Sequence, residues 1–183
     1  MENKEVVISF SSRIDGNCKQ ICDYICSYID QVNQYCFTDF RIHPCGGCQY
    51  ECFTNNHNCP YIGDMEYQLL DAICSSATTY FIVPNYCDYP CANFFIFNER
   101  SQCFFQNHPE LLDKYLRVPK QFIVVSNSRS ESIRNAFTQH TDREPEILWL
   151  SAKYYGKNSL DGDIMTEESV RNDLLRLIHN QDS

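Results

Sequence analysis

Basic residues are scarce in this chain: 15 Lys and Arg stand against 24 Asp and Glu, a formal net charge of −9. A protein that wraps duplex nucleic acid or lies on an anionic membrane needs a cationic field, so no nucleic acid and no membrane is expected as partner. No apolar run approaches the length that spans a bilayer. Residues 1–11 lack a secretory pattern, so a cytoplasmic, reducing compartment is the expectation. Several catalytic signatures are missing too: there is no G-x-S-x-G, H-E-x-x-H, Walker A or G-x-G-x-x-G sequence. No catalytic acid or base is assigned, and the five histidines form no metal pattern. Internal repeats, low-complexity tracts and linkers are absent as well.

What is present is enough for one domain spanning 1–183, since 183 residues at 43% hydrophobic and 21% charged can bury a real core. Twelve cysteines are concentrated between Cys18 and Cys103, and the last eighty residues carry none. A secreted disulfide scaffold is usually shorter and spreads its bridges. These thiols are therefore read as packing, metal ligation or redox chemistry. Cys18, Cys22 and Cys26 interleave with Ile21, Ile25 and Ile29 on one helical face, the pattern of a buried stripe.

A second group, Cys45, Cys48, Cys52 and Cys59, forms C-x2-C-x3-C-x6-C inside a cysteine-rich loop over 44–63. Gly46 and Gly47 permit the tight turn this needs. Four thiolates suit an iron–sulfur cluster or tetrahedral zinc, and four free thiols are the alternative. His43 and His57 flank the loop as spare ligands or solvated side chains. Cys36 and Cys74 read as core positions.

Apolar strands and amphipathic helices alternate along the chain. Strands are expected at 4–10, 36–43, 79–83, 121–125 and 147–150, and helices at 17–30, 64–76, 91–105, 109–116, 130–138 and 166–180. That alternation predicts an α/β three-layer sandwich with a five-stranded parallel sheet of order 2-1-3-4-5. Ligands bind such sheets beyond the strand carboxyl ends, where strands 1 and 3 diverge.

Two informative loops follow those strands. Ser11, Ser12, Arg13, Gly16 and Asn17 make a hydroxyl- and glycine-bearing turn at a helix N-terminus, suited to a phosphate or simply to capping. The loop after strand 3, from Pro84 and Asn85 through Tyr86 and Cys87 to Tyr89 and Cys91, offers either a stacking surface for a planar ring or ordinary surface tyrosines.

Together these residues resemble the NADPH-dependent FMN reductase group of the flavodoxin-like superfamily. The run Ser11-Ser12-Arg13-Ile14-Asp15-Gly16-Asn17 is similar to its S-x-R-x-x-G-N phosphate loop. Pro84-Asn85-Tyr86 is similar to its P-x-Y flavin loop, and Asn98-Glu99-Arg100 to its acidic–Arg pair. Residues 44–59, followed by Gly63-Asp64-Met65, resemble the cysteine insertion of the iron–sulfur flavoproteins, a branch of that group. Cys18 departs from the pattern, standing where the group has Thr or Ser, and one cysteine interval is longer by a residue.

The resemblance implies a flavodoxin-like fold and non-covalent FMN. It places the phosphate at Ser11, Arg13, Gly16 and Asn17, with Ser12 and Cys18 also in the cofactor site, and the ring against Pro84, Asn85, Tyr86 and Cys87. A closing loop is implied at Ser126, Asn127 and Ser128, and a 4Fe-4S cluster, with zinc as the alternative, at Cys45, Cys48, Cys52 and Cys59. It further implies a homodimer or homotetramer, with Phe94, Phe95, Phe97, Phe104 and Phe105 available for contact or for core packing. The expected activity is an FMN-dependent oxidoreductase, drawing on a nicotinamide nucleotide or a small electron-carrier protein and passing electrons to a small-molecule acceptor. A non-catalytic flavodoxin-like carrier and a flavin-free module with structural zinc are the alternatives.

Overall fold

A computed structural model describes residues 4–54, 59–127, 129 and 131–179. Five parallel strands form the central sheet: β1 (Glu5–Ser9), β2 (Val32–Cys36), β3 (Thr79–Tyr86), β5 (Lys120–Ser126) and β6 (Glu146–Ser151), in the order β2-β1-β3-β5-β6. A sixth strand, β4 (Tyr89–Pro90), runs antiparallel to the end of β3. Among the described residues the sheet therefore has six strands rather than five, because the chain after β3 folds back on itself in a hairpin. Apart from that hairpin, the parallel order is the doubly wound one.

Among the described residues the α-helices are α1 (Asn17–Cys26), α2 (Met65–Cys74), α3 (Ala92–Asn107), α4 (Glu110–Arg117), α5 (Arg134–Phe137) and α6 (Glu168–His179). Successive side chains of a strand point to opposite faces, so each central strand feeds two cores. Val7, Tyr80, Ile82, Ile123 and Val125 pack against Ile21 and Ile25 of α1 and Val170 and Leu174 of α6. Val6, Ile8, Phe81, Phe122 and Val124 pack on the other face against α2 to α5, through Leu69, Ile73, Phe94, Phe97, Tyr115 and Phe137.

Strand 2 lies at Val32–Cys36, paired in register with Glu5–Ser9, and not at 36–43. As an edge strand it is only partly covered, so VNQYC reads as polar, whereas Phe37 and Phe40, which follow the strand, pack against the core. Their rings lie 4.8 Å apart, and Phe37 stacks on Phe10 at 5.2 Å. The first helix stops at Cys26, where Ser27 N bonds back to the carbonyls of Asp23 and Tyr24. Cys18 and Cys22 are buried as the stripe requires, and Cys26 is half-buried. Cys36 and Cys74 lie in the core. Strand 3 continues through Pro84 at no cost in ladder bonds. Ile82 O accepts from Phe10 N, so the proline nitrogen, two residues on, faces the side that β1 has just vacated. That vacated side is the mouth between β1 and β3.

Candidate functional site

The mouth is a cleft lined by Ser11, Arg13, Gly16, Asn17 and Cys18 from the β1–α1 turn and by Pro84, Asn85 and Tyr86 from β3. Val125, Ser159 and Leu160 complete it. Eight of the thirteen positions expected to hold a flavin thus meet in one place. Gly16 allows this turn to close, since a Cβ there would stand 3.0 Å from the Arg13 Cβ. Ser11 Oγ accepts from Arg13 N at 3.2 Å, which folds the arginine back over the turn. Gly16, and not Asn17, occupies the N-cap of α1, and it makes no side-chain cap bond. Burial pushes the Cys18 thiol far up its range, so it remains a neutral packing group. Asn85 Oδ1 is buried in the cleft with no hydrogen-bond partner among the described residues.

Of the other five expected positions, four surround the cleft without lining it. Ser12 Oγ accepts from Asn93 Nδ2 at 2.9 Å and borders a neighbouring depression. Cys87 is exposed at the hairpin tip. Ser126 is buried at the end of β5, and Asn127 Oδ1 accepts from Ser159 N at 2.7 Å. Ser128 lies outside the described residues. Beside the cleft, Tyr86 and Tyr89 pair across the hairpin and are 49% and 59% exposed, two adjacent rings available for stacking. The turn between them holds Cys87 at φ 50° and Asp88 at φ 68°, the left-handed pair that ordinarily selects Asn-Gly.

The cysteine loop lies apart from this cleft, over α3. Cys45, Cys48, Cys52 and Cys59 line one cavity, and a fifth thiol, Cys103 of α3, lines it with them. Tyr50, Phe53 and Tyr61 wall the cavity, and Glu99 and Arg100 border it. Arg100 is almost fully buried, with Nη1 donating at 2.8 Å to Asp64 Oδ2 and at 2.8 Å to His43 O. Asp64 also caps α2 by accepting from Glu66 N. The acidic–Arg pair therefore serves this loop, since Glu99 Oε2 accepts from Cys45 N at 3.1 Å. Burial, with Cys59 and Cys52 close by, pushes the Cys103 thiol up to about 12. Among the described residues, no three His, Cys, Asp or Glu side chains converge closely enough to hold one metal ion. His43 stacks on Tyr61 at 4.8 Å and does not line the cavity; His57 lies outside the described residues.

Two features escaped the sequence reading. Cys103 sits 44 positions after Cys59, and only the packing of α3 under the loop brings them together. Ser159 and Leu160 belong to a polar run bracketed by Gly156 and Gly162, both at positive φ. That bracketing was the available signal for a built loop.

No protein family and no curated protein matches the sequence. Solved structures do resemble it. The Trp repressor binding protein from Bacillus subtilis is 15% identical, with 95% of this chain and 99% of that chain covered and a TM-score of 0.64. An NADH:FMN oxidoreductase in its apo form is 12% identical over 98% of this chain and 88% of that chain, with a TM-score of 0.51. The fold is flavodoxin-like. No helix among the described residues is long and apolar enough to cross a membrane.

Proposed function

We propose that the chain is an FMN-dependent oxidoreductase, taking electrons from a nicotinamide nucleotide or a small electron-carrier protein and delivering them to a small-molecule acceptor. The observation that carries this reading is the convergence of Ser11, Arg13, Gly16 and Asn17 with Pro84, Asn85 and Tyr86 at the switch point between β1 and β3. The orphaned Asn85 Oδ1 and the close-packed Gly16 suit a ligand with a phosphate at one end and a donor-bearing ring at the other. The structural neighbour described as an NADH:FMN oxidoreductase supports the same reading. Arg13, Ser11 and Asn17 would hold the phosphate by local charge and hydrogen bonds, which is how a chain of net charge −9 retains an anion. Pro84, Asn85 and Tyr86 would bear on the ring, with Ser12, Cys18, Cys87, Ser126 and Asn127 bracing the edges. FMN, when bound, supplies the hydride and electron chemistry.

Assembly as a homodimer or homotetramer belongs to the same proposal. Phe94, Phe97 and Phe104 are spent in the core and Phe105 packs against it, which leaves Phe95, 43% exposed, for a contact between copies. Substituting Arg13→Ala removes charge-assisted bonds and is expected to weaken FMN binding about 10- to 100-fold in a fluorescence-quenching titration. An unchanged affinity contradicts the assignment. Turnover with NADPH and a quinone acceptor separates an enzyme from a carrier, which shows next to none alone.

The thiol cavity supports an accessory reading, a soft metal held as zinc or a 4Fe-4S cluster by Cys45, Cys48, Cys52 and Cys59, with Cys103 in reach. Its donor chemistry fits such a group, and the side chains must rotate inward to ligate. Iron, sulfide and zinc assays on anaerobically purified protein test it. Absence of all three leaves the loop as a set of free thiols.

A further inference from the structure

The segment after β6 lies across the phosphate turn. Arg13 Nη2 donates to Leu160 O at 2.7 Å, and Asn17 Nδ2 donates to Ser159 O at 3.0 Å. The other end of the Asn17 amide is also engaged, since Oδ1 accepts from Ile164 N at 3.0 Å. Gln20 Nε2 donates to Gly162 O at 2.6 Å, and Asn127 Oδ1 accepts from Ser159 N at 2.7 Å. Two of the principal phosphate donors therefore already hold oxygen acceptors, and those acceptors are backbone carbonyls of this same chain.

The segment is a compact unit set between two glycines. Gly156 and Gly162 lie in the left-handed region at φ 68° and 75°, one at each end. Between them Asn158 folds a compact turn, accepting from Leu160 N at 3.0 Å through Oδ1 and from Asp161 N at 3.0 Å through its carbonyl. Lys157 is paired outside the cleft with Asp163 at 2.8 Å and Glu167 at 3.3 Å, so the base stays anchored when the apex lifts. The Leu160 side chain is 58% exposed, so little apolar burial holds the apex down.

We infer that residues 158–162 form a displaceable strap whose Ser159 and Leu160 carbonyls stand in for ligand phosphate oxygens on Asn17 and Arg13. This rests on the FMN reading and adds a closed, ligand-free state to it. A phosphate dianion displaces the strap because it turns the neutral Asn17–Ser159 bond into a charge-assisted one, about twice as strong, and sets an opposite charge rather than a neutral carbonyl against the Arg13 guanidinium. Closure lowers the apparent affinity by the fraction of molecules that are open, so the strap sets how much FMN is needed to load the protein.

The test uses the full chain and two strap variants that leave the phosphate donors intact. Gln20→Ala removes a latch bond. Gly162→Ala forces a Cβ to within 3.0 Å of Asp15 O and strains a positive φ. Both are expected to tighten FMN binding about three- to tenfold, the reciprocal of losing one hydrogen bond from the closed state. In the native chain, saturating FMN is expected to speed hydrogen exchange of the Ser159 and Ile164 amides. If FMN binds but exchange slows or is unchanged, or if both variants bind FMN more weakly or equally, the segment is a fixed wall and the strap is overturned while the FMN site stands. If neither the native chain nor either variant binds FMN or inorganic phosphate, the FMN reading falls and the strap with it.

Discussion

At the residue scale, the buried charges and the buried histidine make the sharpest predictions. Arg100 is sealed under the cysteine loop with Asp64 as its anionic partner, at 1% and 7% side-chain exposure. Asp64→Asn leaves that guanidinium uncompensated and is expected to cost about 3–5 kcal/mol in urea unfolding, far more than a surface pair contributes. His140 is buried among Phe81, Phe94 and Phe97, with Nδ1 2.7 Å from Tyr115 Oη. Burial lowers its pKa to about 3, against an ordinary 6.5, with Lys120 adding to the shift. Because the unfolded chain binds the proton more readily, stability falls as pH drops from about 6.5 to 3 and loses nothing more from this group below that. His140→Asn keeps an acceptor for Tyr115 and does not titrate, so its unfolding free energy is expected to lose less over that interval. An identical slope in both proteins contradicts the assignment. The sequence marked Arg100 as one of an acidic–Arg pair and Asp64 as a helix start. That the two meet was not legible, because the contact spans 36 residues and depends on how α3 packs.

At the element scale, the hairpin between β3 and β4 carries a cost that its sequence does not minimise. Cys87 and Asp88 both sit at positive φ, where a residue with a Cβ is strained by about 1–2 kcal/mol. Replacing them with Asn and Gly is expected to raise the unfolding midpoint by about 2–4 °C, the shift that ~1 kcal/mol gives in a domain of this size. No change, or a fall, indicates that the turn is held by contacts the substitution removes. Strand 2 shows where local pattern misleads: residues 37–43 mimic a strand because Phe37, Phe40 and Ile42 pack against the core, whereas the true strand is a half-covered edge. Within the described residues of the helix expected at 130–138, short turns flank the four-residue α5, although Ile133 and Phe137 are both buried.

At the scale of the whole molecule, the alternation of strands and amphipathic helices pointed to the parallel order because the central strands β1, β3 and β5, buried on both faces, leave apolar runs, whereas the edge strand β2 leaves none. The β1–β3 mouth followed from that order, and the turn residues Ser11, Arg13, Gly16 and Asn17 were legible within it. The segment covering the mouth was not, since residues 156–164 have no periodicity and their role depends on distant donors at positions 13, 17 and 20. Cys103 was hidden for the same reason. The architecture also separates two chemistries, a phosphate-suited cleft at the strand ends and a thiol cavity over α3, lined by different residues.

The most direct test of the central claim is a pair of fluorescence-quenching titrations of the native protein, one with FMN and one with riboflavin, which shares the ring and lacks the phosphate. Binding through Arg13, Ser11 and Asn17 predicts saturable binding of FMN and an affinity for riboflavin weaker by about 100-fold or more, since several charge-assisted bonds are lost together. Equal affinity for the two, or no binding of FMN, contradicts a phosphate held at the β1–β3 mouth.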